Sequence, residues 1–248
     1  MKFRLPPACV WIDSLPEARF LSPGEEAARD AFPSAKRRGD WALGRAAGKL
    51  AVAGLLAAEG APAPAPTALE IGNAPSGAPR LVQEPGGPVA LGLTHGHGRA
   101  GALALRPGPA GGLPGVDLER VRARRDASLR FFLSEAEQAR VLAQPRPDPE
   151  AAGPRDRLAI LHWTLKEAAF KALQLPRGLG LLEVEVELPA GWERPEGRAQ
   201  VRYRRAAAER HAALGGQEVC AGWTSPAPDL LAAWVVVRGA SLPEACSS

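Results

Sequence analysis

The ten residues Arg106–Gly115, RPGPAGGLPG, constrain this chain more than any other stretch. Three prolines and four glycines among them remove backbone donors and loosen the chain. Neither a helix interior nor a central strand is expected to run through such a segment. The 248 residues therefore divide near the middle, into an N-terminal unit, 1–110, and a C-terminal unit, 111–248. That length supplies enough apolar material for a sizeable core in either one or two units.

Each side of the boundary carries the same kind of pattern. Before it, Ala8–Asp13 reads as a strand, and Ser22-Pro23-Gly24-Glu25 as a capping box opening a helix over Pro23–Phe32. A longer helix is expected over Asp40–Glu59, burying Leu43, Ala46, Ala47, Leu50, Leu55 and Leu56. The Pro-Ala run at 60–67 is an extended linker. Leu69–Gly72, Val89–Thr94 and Ala100–Leu105 read as strands, with loop over Asn73–Pro79 and a turn at His95-Gly96-His97-Gly98. After the boundary, Val116–Glu119 is a strand and Ser134 caps a helix running to Leu142. A Pro-rich loop precedes a strong helix over Arg155–Leu175. Strands follow at Glu183–Leu188, Ala199–Arg204, Glu218–Trp223 and Leu230–Arg238, and the tail 241–248 is expected to fray. The expected class is α+β, with two similar halves in a pseudo-twofold arrangement and the active site in the cleft between them.

Composition narrows the function classes. Cys9, Cys220 and Cys246 are scattered and make no CxxC pair, which argues against structural zinc and a disulfide framework and for a reducing cytoplasm. Neither a signal-type apolar segment at the start nor an apolar run of membrane-spanning length is present. The net charge of +4 suits an anionic partner: nucleic acid, a polyphosphate or an acidic protein. With aromatics at 5% and no recognised nucleic-acid motif, a basic nucleic-acid-binding protein is the weaker alternative.

Four groups of residues could carry chemistry. In Gly115-Val116-Asp117-Leu118-Glu119, strand alternation puts Asp117 and Glu119 on one face. Paired carboxylates suit an oxygen-liganded divalent ion, although an edge strand with solvated acids has the same pattern. In Trp163–Lys171, helical spacing places Leu158, Leu161, Leu165, Ala168 and Ala172 on a core stripe, with Trp163, Glu167, Phe170 and Lys171 roughly opposite. Two rings away from the stripe imply that this second face is covered as well. Glu167 and Lys171, four apart, could alternatively form a plain surface pair. In Thr94-His95-Gly96, the glycine would let a ligand approach the backbone. Lys36, Arg37, Arg38, Arg45 and Lys49 form a basic group suited to phosphate, or else a solvated helix face.

In order and separation, GVDLE at 115–119 and WTLKEAAFKAL at 163–173 resemble the surfactin-type 4′-phosphopantetheinyl transferase family. The pattern there is a Gly-(Ile/Val)-Asp-x-Glu strand followed by a Trp-x-x-Lys-Glu-x-x-x-Lys helix. DWALGR, SGAPRL, LTHG and FFLSEAE fall in the same order, so the resemblance covers about residues 20–180. It implies a Mg2+ (or Mn2+) ion on Asp117, Glu119 and Glu167, and transfer of the phosphopantetheine arm of coenzyme A to a serine of an apo carrier protein. Lys171 would contact the phosphate bearing that arm, and Glu167, directly or through a bound water, is the candidate base. Coenzyme A would be bound by Arg38, Arg45, Gly77, Ala78, Pro79, Arg80, Thr94 and His95, the last at the 3′-phosphate with Arg45. The acidic carrier, of fatty-acid, polyketide or nonribosomal-peptide type, would meet Arg122, Arg124, Arg125, Leu129, Phe131 and Phe132. A monomer that engages neither nucleic acid nor membrane is expected. The sequence departs from the family where Ala78 replaces the lysine of Gly-Lys-Pro and where Gly96 replaces the second serine of Ser-His-Ser. A member that binds coenzyme A or a carrier without turnover is the second alternative.

Overall fold

The computed structural model describes residues 9–17, 19–109, 111–146, 148, 151–175 and 179–240; Ala8, Cys246 and the tail expected to fray lie outside them. The chain runs β1 (Cys9–Ile12), α1 (Pro23–Asp30), α2 (Ala35–Ala58), β2 (Ile71–Asn73), β3 (Pro79–Leu81), β4 (Ala90–Gly96), β5 (Arg99–Leu105) and β6 (Gly112–Arg120). It continues through α3 (Glu135–Leu142), α4 (Pro154–Ala172), β7 (Val184–Glu187), β8 (Glu196–Tyr203), α5 (Arg205–Ala213), β9 (Glu218–Ala227) and β10 (Leu230–Arg238). The fold is α+β. One antiparallel sheet has the order β1-β5-β4 and a larger one β6-β10-β9-β8-β7, with β2-β3 as a small hairpin.

Alternation explains the layering. On β5, Ala100, Ala102 and Ala104 pack with Leu43, Ala47 and Ala51 of α2, while Leu103 turns the other way onto Val116, Trp234 and Val236 of the larger sheet. The two sheets therefore press their inner faces together, and each carries one long helix on its outer face. The larger core lies between α4 and the β6-β10-β9 strands, where Leu158, Leu161, Leu165, Ala168 and Ala172 are all buried as the helical spacing predicts.

The entrances of α1 and α3 form as predicted: Ser22 Oγ accepts from Glu25 N at 3.2 Å, and Ser134 Oγ from Glu137 N at 3.3 Å. Other boundaries differ. Helix α2 begins at Ala35, not Asp40, because Ser34 Oγ accepts from Arg37 N at 3.2 Å and caps a first turn made of basic residues. Leu50 is exposed, lying one position off the stripe Leu43–Ala47–Ala51. The tight turn is His97-Gly98 alone, with φ values of 56° and 73°, the left-handed pair that two-residue hairpins require. His95 and Gly96 thus belong to β4, with Thr94 in the strand as expected. Strand β6 starts at Gly112, inside the punctuated segment, and β3 and α5 occupy stretches with no predicted element.

Helix α4 is also held on a side that periodicity alone does not account for. Lys166 is fully buried and donates to Glu137 Oε2 at 2.7 Å, while Glu137 Oε1 accepts from Val186 N at 2.8 Å. His162 Nδ1 stands 3.6 Å from Glu137 Oε1, beyond hydrogen-bond reach. Burial alone would raise the Glu137 carboxyl, but His162 and Lys166 outweigh it and hold it at about 2, below the ordinary 4.5. A depressed carboxylate contributes stability that is complete above the unfolded-state value and lost as pH falls through the folded one. Glu137→Gln strands Lys166 and is expected to cost about 3–5 kcal/mol at neutral pH. Denaturant titrations between about pH 5 and pH 2 should then show a shallower acid-side loss in the variant than in the wild type. Equal slopes would mean that Glu137 does not carry this charge.

Candidate functional site between the sheets

The site begins with β6. Asp117 and Glu119 leave the strand on the face that meets α4, as does Gly115, where an added Cβ would lie 1.9 Å from Ala168 O. That absence of a side chain lets the helix backbone rest on the strand. Asp117 is buried, and Lys171 Nζ donates to its Oδ1 at 2.6 Å and to Val116 O at 3.3 Å. Thr94, reaching over from β4, donates to the same Oδ1 at 3.5 Å. Glu119 accepts from Trp163 Nε1 at 3.2 Å. Lys171 therefore crosses to the strand instead of forming a plain pair with Glu167 along the helix.

The three carboxylates lie in one another's field. Burial, and then the charge of Asp117, raise the Glu119 carboxyl above its ordinary value. Glu167 is raised for the same two reasons in the same order, with a further contribution from Glu119 and opposition from Lys171. Asp117 Oδ2 is buried without a partner. An all-oxygen set with an orphaned carboxylate oxygen has the chemistry to hold a hard divalent cation. The expected convergence is nonetheless incomplete: among the described residues no three His, Cys, Asp or Glu side chains are gathered as a ready cluster. The reason is visible in the partners, since Lys171 engages Asp117 and Trp163 draws Glu119 aside.

Strand alternation sends Thr94 and His95 to opposite faces. Leu91, Leu93 and His95 face α2, where Gly48 and Gly44 make room for Leu93 and His95; a Cβ on Gly44 would meet the His95 ring at 2.9 Å. The His95 pKa lies below its ordinary value, through desolvation first and then Arg45, Lys171 and Lys36, with Asp40 opposing. Arg45 is buried, stacks 4.4 Å from the Trp41 ring centre and keeps Nε unpartnered. Lys49 leaves the basic group, since it is buried and paired with Glu25. Arg38 donates Nη1 to Phe32 O at 2.8 Å, and Arg80 is exposed on β3.

A cavity of about 290 Å³ opens between these elements. The loop carrying Gly77, Ala78 and Pro79 forms one wall, and Phe170, Lys171 and Gln174 of the α4 end form another. Ser76 and Gln174 were not singled out by sequence. Pro176, two positions beyond Gln174, is the signal that the helix stops short of Leu175.

Farther out, Arg122 and Arg125 are exposed on the loop after β6, whereas the Arg124 guanidinium lies 5.0 Å from the Trp163 ring centre. Leu129 and Phe132 are not surface residues. Both are buried in the core beside Leu158 and Leu161, which removes them as contacts for a partner. Their neighbour Phe131, 66% exposed with the Arg130 guanidinium 5.0 Å from its ring centre, is the apolar group this segment presents.

The family model of the 4′-phosphopantetheinyl transferase superfamily matches residues 114–223, from β6 through most of β9. Similar solved structures include the holo-acyl-carrier-protein synthase of Thermotoga maritima, 19% identical over 50% of this chain and 62% of its own, with a TM-score of 0.38. The Helicobacter pylori synthase, solved in complex with coenzyme A, is 20% identical over 50% of this chain and 99% of its own (TM-score 0.37). The acyl carrier protein synthase of Plasmodium yoelii with ADP bound is 17% identical over 52% and 95% (TM-score 0.41). No curated protein matches the chain.

The packing of His95 on α2 can be tested directly. Gly44→Ala adds about 1 kcal/mol of helix propensity but pushes the His95 ring off the helix. Overall stability should change little, while the His95 ring signals shift in NMR spectra and its pKa rises toward the ordinary value. Unmoved signals would show that the ring does not rest on Gly44.

Proposed function

We propose that this chain is a surfactin-type 4′-phosphopantetheinyl transferase, acting as a monomer. It would move the phosphopantetheine arm of coenzyme A onto a serine of an acidic apo carrier protein and release adenosine 3′,5′-bisphosphate. One observation carries the reading: the Asp117 and Glu119 strand lies against the Glu167–Lys171 turn of α4, beside a cavity walled by the Gly77-Ala78-Pro79 loop. The superfamily match over 114–223 supports the reaction class.

Asp117, Glu119 and Glu167 would hold a magnesium or manganese ion, which would supply neutralisation of the pyrophosphate charge; Lys171, now on Asp117, would turn away from it. Lys171 is 38% exposed and free to turn its ammonium to the phosphate that bears the arm. His95, Arg45 and Lys36 form the corner for the 3′-phosphate, and exposed Arg80 and half-buried Arg38 extend it. The Gly77-Ala78-Pro79 loop lines the adenine. The serine hydroxyl oxygen attacks the phosphorus of the arm's phosphate, and the bond from that phosphorus to the bridging oxygen breaks. The bisphosphate leaves with the electron pair, and the serine proton passes to Glu167. Arg122, Arg125 and Phe131 present the charged and apolar contacts for the carrier, with Arg124 held behind them by Trp163.

Incubation of an apo carrier with the protein, coenzyme A and magnesium should add one phosphopantetheine mass to the carrier. Asp117→Ala and Glu167→Ala should lose it, and an unmodified carrier in the wild-type reaction would remove the assignment. Charge reversal at Arg122 and Arg125 together should raise the Michaelis constant for carrier about tenfold or more, as expected for removed complementary charge, and leave that for coenzyme A unchanged. Equal constants before and after reversal would move the docking surface elsewhere.

A further inference from the structure

The end of α4 is built in a way that packing does not explain. Gln174 N donates to Lys171 O at 3.0 Å and Leu175 N to Phe170 O at 3.3 Å, the paired bonds of a helix stop that turns through a left-handed residue. That residue is Gln174, with φ at 50°. Glycine adopts this conformation freely, whereas a side-chain-bearing residue pays about 1–2 kcal/mol. The Gln174 side chain is half-buried and lines the cavity between the 76–79 loop, β4 and the end of α4, 3.4 Å from Ser76 Oγ on the facing loop. Of the described residues lining this cavity, only Ser76, Lys171 and Gln174 bring polar side chains, and Lys171 is turned to Asp117. Leu91, Leu93, Pro114 and Phe170 offer apolar surface for the faces of a flat ring.

We infer that Gln174, assisted by Ser76, is a specificity-determining residue that reads the edge of the purine in this cavity. The inference rests on the functional reading above and adds the group that selects the base. A carboxamide presents one acceptor and two donors from adjacent atoms. Adenine presents a matching pair, the 6-amino donor beside the N7 acceptor, whereas a 6-oxo purine offers two acceptors there and leaves the amide oxygen unmatched. A bidentate match of this kind discriminates by about 1–3 kcal/mol, or about 5- to 150-fold in affinity. The side chain thereby accounts for a residue other than glycine at a left-handed position.

Calorimetric titration with adenosine 3′,5′-bisphosphate and inosine 3′,5′-bisphosphate tests this on the full chain. The wild type should bind the adenosine form at least about fivefold more tightly. Gln174→Gly and Gln174→Leu should bring the ratio near one, and the glycine variant should melt at the same or a higher temperature because the left-handed strain is relieved. Ser76→Ala should reduce the ratio by less. A ratio near one in the wild type, or one unchanged in both Gln174 variants while binding persists, overturns the role of Gln174 and leaves the transferase reading intact. Failure of the wild type to bind either nucleotide or coenzyme A overturns both.

Discussion

The structure depends on one close approach, that of the α4 backbone to β6 at Gly115. A methyl group there would collide with Ala168 O and with Ala172 N, both within 2.6 Å. Without it, helix and strand run alongside one another in opposite directions. Lys171 and Ala172 lie by the start of the GVDLE strand, and Trp163 lies by its end, bonded to Glu119. The lengths agree: nine helical steps from Trp163 to Ala172 span about 13.5 Å, and four strand steps from Gly115 to Glu119 span about 13 Å. Because the runs match, a single contact sets the register of the whole site. Trp163 meets Glu119 and Lys171 meets Asp117, with Glu167 between them on the helix.

A contact made by small residues fixes distance but does little to fix rotation about the helix axis. The buried Lys166–Glu137 pair supplies that second constraint. Lys166 immediately precedes Glu167, so turning α4 to move Glu167 would pull Lys166 out of the arrangement with Glu137 and Val186 N. A buried pair of this kind adds little net stability over well-packed apolar groups, but breaking it leaves an uncompensated charge. Its effect here is on orientation: adjacent residues on one helix hold the fold and face the cleft.

What could be read in the sequence follows from what is local. Period-two and period-3.6 patterns located β4, β5, β10 and the α4 stripe, and side-chain caps located the starts of α1 and α3. Helix α5 gave little signal because its composition is mostly Arg and Ala and only Ala207 is buried. Leu129 and Phe132 read as surface because they stand in an arginine-rich loop, yet their burial depends on α4, some thirty residues away. The site was legible to the same extent. Which residues face the cleft follows from spacing along β6 and α4. That Lys171 engages Asp117, or that Trp163 engages Glu119, involves partners 54 and 44 positions apart, and no local pattern encodes it.

The charges of the cleft form two opposed groups with Lys171 between them. On one side burial and the charge of Asp117 raise the carboxyls of Glu119 and Glu167, and Glu119 adds to the rise at Glu167. On the other, desolvation and then Arg45, Lys171 and Lys36 depress His95, with Asp40 opposing. Neither group is at ease alone. The acidic one gains from a cation, the basic one from an anion, and a ligand carrying phosphates at both ends together with a divalent ion would satisfy both at once. Lys171 answers the acidic group through Asp117 and adds to the positive field at His95, so its ammonium is the charge whose position decides which side is neutralised. In the proposed transfer that movement accompanies arrival of the pyrophosphate, so the residue that stabilises the ligand-free cleft is also the one that meets the reacting phosphate.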